Sequence, residues 1–159
     1  MEIVKKVLMH PDFIKYLRLN EAAEKERKFC RHDLQHAVDV ARVAYIISLE
    51  RAYGLSKELI YVTALLHDIG RWKQYEDKSD HAEEGAKLAG KILEDLDFDK
   101  RDMEMIIEAI TGHRGKKRGK SLLGEVIYEG DKSCRPCINC VMVNECNWYS
   151  DGDQPELLY

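Results

Sequence analysis

Proline is scarce in this 159-residue chain, three residues in all, so little in the composition interrupts helix. Convincing alternation of apolar and polar residues is missing as well, which argues against an architecture built on sheet. No apolar run is long enough to span a bilayer, and Met1-Glu2-Ile3-Val4-Lys5-Lys6 lacks the apolar stretch of a secretion signal. Nor is there a large charge excess. The net formal charge is −4, which gives no support to a general nucleic-acid or membrane binder. The expected location is the cytosol, where the five cysteines are thiols or ligands rather than disulfides. Phosphate-cradling glycine motifs, a Gly-x-Ser-x-Gly elbow, internal repeats, low-complexity tracts and interdomain linkers are all missing.

What is present is an ordinary globular composition, 45% apolar and 34% charged, with helix-period apolar patterns throughout. The expectation is one all-α domain of six to seven helices: N-terminal helices over 1–28, a core over 29–133, and a Cys-rich tail over 134–159 that belongs to the same unit. A short helix over 3–9 breaks before Pro11. A second runs from about 12 to 27 with Phe13, Tyr16, Leu17 and Ala23 inward, and Glu24-Lys25-Glu26-Arg27-Lys28 as a solvated face. The third, 33–52, stops at Gly54 and carries His36, Val40, Val43, Ala44 and Ile47 on one stripe. Ser56 caps the fourth, residues 73–80 read as a polar loop, and Asp80 with Glu83 has capping-box spacing for the fifth. Asp99 caps a helix with Ile106, Ala109, Ile110 and His113 on one side, and Ser121 caps another with Leu123, Val126, Ile127 and Asp131 together.

The chain is organised around Ala64-Leu65-Leu66-His67-Asp68-Ile69-Gly70-Arg71. Ile60, Thr63, Ala64 and His67 fall at i, i+3, i+4 and i+7 of an apolar face. Two ionisable groups then stand where that face is driest, followed by a glycine able to end the helix. Burying them uncompensated costs several kcal/mol, and a metal ion, which accepts a neutral imidazole and an anionic oxygen together, compensates both. A lone histidine on an apolar stripe is ordinarily a hydrogen-bonded core residue. Here His36, His67, His81, His113 and Asp131 repeat the same violation on five helices, and convergence on a shared metal centre accounts for them together.

In order and spacing the sequence resembles the HD-domain superfamily of metal-dependent phosphohydrolases. The resemblance rests on His36 in His36-Ala37-Val38-Asp39-Val40-Ala41, the pair His67-Asp68, and Asp131 in Tyr128-Glu129-Gly130-Asp131-Lys132, and it covers roughly residues 30–135. It implies an HD-type helical bundle in which His36, His67, Asp68 and Asp131 hold a first ion. Asp68 would bridge to a second ion held by His81 and His113. His32, one turn before His36, would be a supporting or substrate contact. Two ions about 3.5–4 Å apart lower the pKa of a shared water toward neutrality. Arg71 and Arg114 follow the motifs directly and would clamp phosphate, with Lys132 a third possibility. The loop 114–120 would either hold a polyanion or remain a solvated surface. The implied activity is hydrolysis of a phosphate ester of a nucleotide or related small metabolite. An HD-type di-iron oxygenase and a non-catalytic nucleotide sensor stay open as alternatives. Imidazole-rich ligation favours Fe, Mn, Co, Ni or Zn over Mg.

Cys134, Cys137, Cys140 and Cys146 crowd into thirteen residues, a spacing that suits a zinc knuckle or an iron-sulfur cluster. Cys30 precedes the helix of His36 and is a further candidate. Some bacterial proteins resembling this one carry Phe-Cys-Arg-His before the first ligand and an Arg-x-Cys-x-x-Cys…Cys-x-Trp tail. That likeness implies the set Cys30, Cys137, Cys140 and Cys146, with Cys134 outside it. Structural zinc is the favoured occupant, an iron-sulfur cluster the alternative, and reduced thiols the plain one. Either metal group would tie the tail to the front of the bundle without a part in the chemistry.

Overall fold

The computed structural model describes residues 1–112, 121–149 and 154–159. His113, Arg114 and the rest of the basic loop through Lys120 lie outside the described residues, so the roles expected of them are not placed by it. The described residues are helical and contain no strand. The order is α1 (Glu2–Met9), α2 (Pro11–Ala23), α3 (Leu34–Glu50), α4 (Lys57–Leu66), α5 (Arg71–Asp77), α6 (His81–Asp95), α7 (Lys100–Gly112) and α8 (Leu122–Ser133), then two short 3-10 turns at Cys137–Asn139 and Val143–Glu145.

Helix α4 is the axis of the bundle. Seven of its ten residues are buried, Leu59, Ile60 and Val62 through Leu66, because α1, α3, α6, α7 and α8 all pack on it. A helix surrounded in this way is apolar all round rather than on one stripe. The caps anticipated from sequence are made: Ser56 Oγ accepts from Leu59 N–H, Ser121 Oγ from Gly124 N–H, Asp80 Oδ1 from Ala82 N–H, and Asp99 Oδ1 from Arg101 and Asp102 N–H. None of the helices among the described residues is long and apolar enough to cross a membrane.

Two local expectations are corrected. The segment 73–80 is not a loop throughout, since α5 runs over Arg71–Asp77 and buries no residue. It has no apolar stripe for periodicity to detect and is held instead by contacts to its neighbours, including Tyr16 stacked on Trp72 at 6.3 Å between ring centroids. Helix α2 stops at Ala23, which is exposed, while Glu24 is 1% exposed and points inward. The first residue of the supposed solvated charge run is therefore part of the interior.

Candidate metal centre

His36 is set in place by the start of α3. Asp33 is the N-cap, and its Oδ1 accepts from the His36 backbone N–H at 2.9 Å. Asp131 arrives from α8, which approaches α3 so closely that a Cβ on Gly130 would lie 3.0 Å from Val40 O and from Ala44 Cβ. His67 and Asp68 follow the last residue of α4 in the turn that leads to α5. Asn20 of α2 grips that turn, donating from Nδ2 to Asp68 O at 2.9 Å and accepting from Trp72 N–H at 2.8 Å. Gly70 lies in the same turn with φ −88, so it is not needed for a left-handed backbone. It is needed for room: a Cβ there would stand 2.7 Å from His81 O and 2.8 Å from Gly85 Cα.

These elements bring four candidate ligands together. One donor atom from each of His36, His67, Asp68 and Asp131 lies within 4.8 Å of the other three. His36 Nε2 is 3.1 Å from Asp131 Oδ1 and 4.0 Å from Asp68 Oδ2, and His67 Nε2 is 3.3 Å from Asp68 Oδ2. His67 Nδ1 donates to Ala64 O at 2.7 Å, which turns Nε2 toward the cluster. Burial pushes the His67 imidazole down, but the neighbouring Asp68 carboxylate outweighs it and raises the group to about 9. Asp131 is pushed up by burial and pulled further down by its hydrogen bond to His36 and the charge of His67. His36 is lowered by burial. Two buried carboxylates thus call for a cation, and without one His67 supplies it as a bound proton. Two imidazoles and two carboxylates form a donor set suited to a divalent transition metal, and metal uptake would release that proton.

The other oxygen of Asp68 faces the opposite way. His81 is fully buried, and its Nε2 lies 3.4 Å from Asp68 Oδ1. His81 Nδ1 donates to Gln74 Oε1 at 2.8 Å, so Nε2 is the acceptor. Arg71 Nη1 sits 3.2 Å from that Nε2 and 3.8 Å from Asp68 Oδ1. Asp68 therefore spans two groups of ligands, with the Arg71 guanidinium beside the second. His32 joins from the first side, Nε2 3.9 Å from Asp68 Oδ2. Lys132 Nζ is 3.5 Å from Asp131 Oδ2 and 3.5 Å from the ring centroid of Trp148.

Sequence reading missed Glu24. Its Oε1 is 2.7 Å from His32 Nδ1, 3.6 Å from Arg71 Nε, and accepts from Tyr75 Oη at 2.8 Å. Burial pushes the carboxyl up, but the hydrogen bond and charge of His32 with the Tyr75 hydroxyl win and hold it at about 2. Glu24 thus orients His32 and Arg71 at the centre. Glu24→Gln is expected to keep bound metal while turnover falls about ten- to a hundredfold, the usual cost of losing such support. Because the native value lies below the ordinary 4.5, its stabilisation is complete above that pH and is lost as pH falls toward 2. Urea midpoints of parent and variant should then converge over that interval, and a gap that ignores pH would contradict the assignment.

The centre opens into a cavity of about 470 Å³ whose walls include Asp68, Arg71, His81 and Asp131 together with Cys137 and Trp148. The tail thus borders the same space as the ligands. Arg135 holds it there, both terminal nitrogens donating to Arg31 O at 3.2 Å.

A helical bundle with histidines and aspartates converging from α3, the α4–α5 turn and α8 defines a class of proteins whose interior could hold a divalent metal. The model of the HD domain matches residues 33–143, and the chain belongs to the HD-domain family, whose members bind divalent metals. An uncharacterized protein of Clostridium beijerinckii is 39% identical over 153 residues, 96% of either chain. Ribonuclease Y of Enterococcus faecalis is 31% identical over 124 residues, which make up 77% of this chain and 21% of that protein. The crystal structure of a "predicted HD superfamily hydrolase" from an uncultured Thermotogales bacterium aligns with a TM-score of 0.63 at 25% identity, covering 98% of this chain and 86% of that one.

Proposed function

We propose that this protein is a metal-dependent phosphohydrolase that cleaves a phosphate ester of a nucleotide or similarly small metabolite at a two-metal centre. The observation that carries this reading is the position of Asp68, one oxygen toward His36 and His67 and the other toward His81. His36, His67, Asp68 and Asp131 would hold one ion, and Asp68 with His81 would contribute to a second. Bound divalent metal supplies an activated water and neutralises phosphate charge. Arg71 and Lys132 face the same cavity and would bind the non-bridging phosphate oxygens. Glu24 would hold His32 and Arg71 in register for this task. Phe29 and Trp148, partly exposed on the same walls, offer surface for a nucleobase.

The likeness to a ribonuclease and to a hydrolase supports phosphate-ester chemistry. The partly enclosed cavity and the net charge of −4 favour a small substrate over a long polyanion. The test is a panel of phosphomonoesters, cyclic dinucleotides, dinucleoside polyphosphates and short RNA, each with Mn2+, Fe2+, Co2+ and Mg2+. Metal-dependent phosphate release from a small nucleotide is expected. Tight binding of one nucleotide without turnover under any metal would replace the enzyme by a sensor.

The two-ion arrangement has its own check. Arg71 Nη1 now lies against His81 Nε2, so a second ion there requires the guanidinium to swing toward substrate. His81→Ala is expected to lower metal stoichiometry from two ions to one, with the first bound about as tightly as in the parent. Unchanged stoichiometry by elemental analysis would mean that Arg71, and not a metal, supplies the second positive charge.

A further inference from the structure

The cysteines form a second constellation, separate from the histidine centre. Cys137 is buried; burial raises its thiol, and the nearness of Cys30, Cys140 and Cys146 raises it further. All four line the same cavity as Asp68. Cys134 belongs elsewhere, its Sγ 3.6 Å from His36 Nδ1. The backbone presents the set deliberately. Arg27 Nε donates to Cys30 O at 2.8 Å, and Arg135 bonds the tail to Arg31, the residue after Cys30. Cys137 opens one 3-10 turn and Cys140 closes it, while Cys146 closes the next.

Sulfur spacing separates the two metal groups such thiols could hold. A tetrahedral zinc with Zn–S bonds of about 2.3 Å draws its four sulfurs to about 3.8 Å from one another. Among the described residues the only set of three or more ligand atoms within 4.8 Å is the histidine and aspartate cluster, so no three cysteine sulfurs are that close. In a four-iron cluster each thiolate sits on its own iron, which spreads the sulfurs around a larger body. Four thiolates on such a cluster leave a net negative charge, and Arg27, Lys28 and Arg135 line the same cavity.

We propose that Cys30, Cys137, Cys140 and Cys146 bind a four-iron, four-sulfide cluster that forms the wall of the cavity facing the histidine centre. Each thiol gives up its proton on ligation. The cluster joins residue 30 to the tail across the cavity mouth and fixes the segment carrying Trp148.

The test is iron and acid-labile sulfide analysis of the full chain purified without oxygen, followed by reconstitution with equal ferrous and ferric iron and sulfide if the isolated protein carries none. About four sulfides per chain and a broad visible absorption are expected. Cys137→Ser and Cys140→Ser should lose sulfide and that absorption while keeping parental helical content by circular dichroism. Cys134→Ser and Asp68→Ala should keep both. Because Asp68→Ala disables the histidine centre, sulfide retained there distinguishes this proposal from the hydrolase reading. Stoichiometric zinc without sulfide in the parent, no sulfide uptake on reconstitution, or equal sulfide loss in Cys134→Ser would each overturn it.

Discussion

Asp68→Ala is expected to yield a folded protein with no metal at the histidine centre and turnover reduced by about a thousandfold or more, since the step it serves depends on charge compensation in a dry site. The Asp68 carboxylate reaches both halves of the centre. Its Oδ2 lies within 4.0 Å of ring nitrogens from His32, His36 and His67, and its Oδ1 lies 3.4 Å from His81 and 3.8 Å from Arg71. Alanine would leave four histidines and Asp131 without their common neighbour. The turn itself should survive, because Asn20 holds the backbone carbonyl of residue 68 and not its side chain. Elemental analysis beside circular dichroism is the check. Metal content equal to that of the parent would show that the cluster is not the binding site.

Gly70→Ala should give the largest loss of stability from adding one methyl group. The new carbon would stand 2.7 Å from His81 O and 2.8 Å from Gly85 Cα, both backbone atoms with no rotamer to yield. Helix α6 would have to move off the turn, at a cost of about 3 kcal/mol, the upper end of ordinary overpacking. In a chain of this length that corresponds to a fall in Tm of about 10 °C. The same movement carries His81 away from Asp68, so occupancy of the second ion should fall with stability. Thermal unfolding within about 1 °C of the parent would contradict this account of the α4–α6 contact.

The parts of the site legible in sequence are those that break a pattern. His36, His67 and Asp131 are polar residues on apolar stripes, and helical periodicity placed them on converging faces. Glu24 and Asn20 break nothing visible. They sit at the C-terminal end of an amphipathic helix among Lys, Arg and Glu, where a polar side chain reads as solvated; only the packing of α5 against α2 turns them inward. Helix α5 was illegible because Arg71–Asp77 has no apolar face. Gly70 was read as a helix stop, but its real constraint is the backbone of α6, fifteen residues further on at Gly85 and invisible to local turn rules. The four-cysteine grouping was implied by the likeness to related sequences, and the fold brings Cys30 and the tail to one cavity.

Asn20 also changes what counts as the working unit. The family likeness spans 33–143, yet the amide that clasps the Asp68 peptide and the Trp72 N–H lies upstream of it, in α2. A fragment cut to the shared segment would retain nearly every side chain suspected of chemistry and lose the latch that aims them. In this chain the first two helices are the jig in which the centre is set.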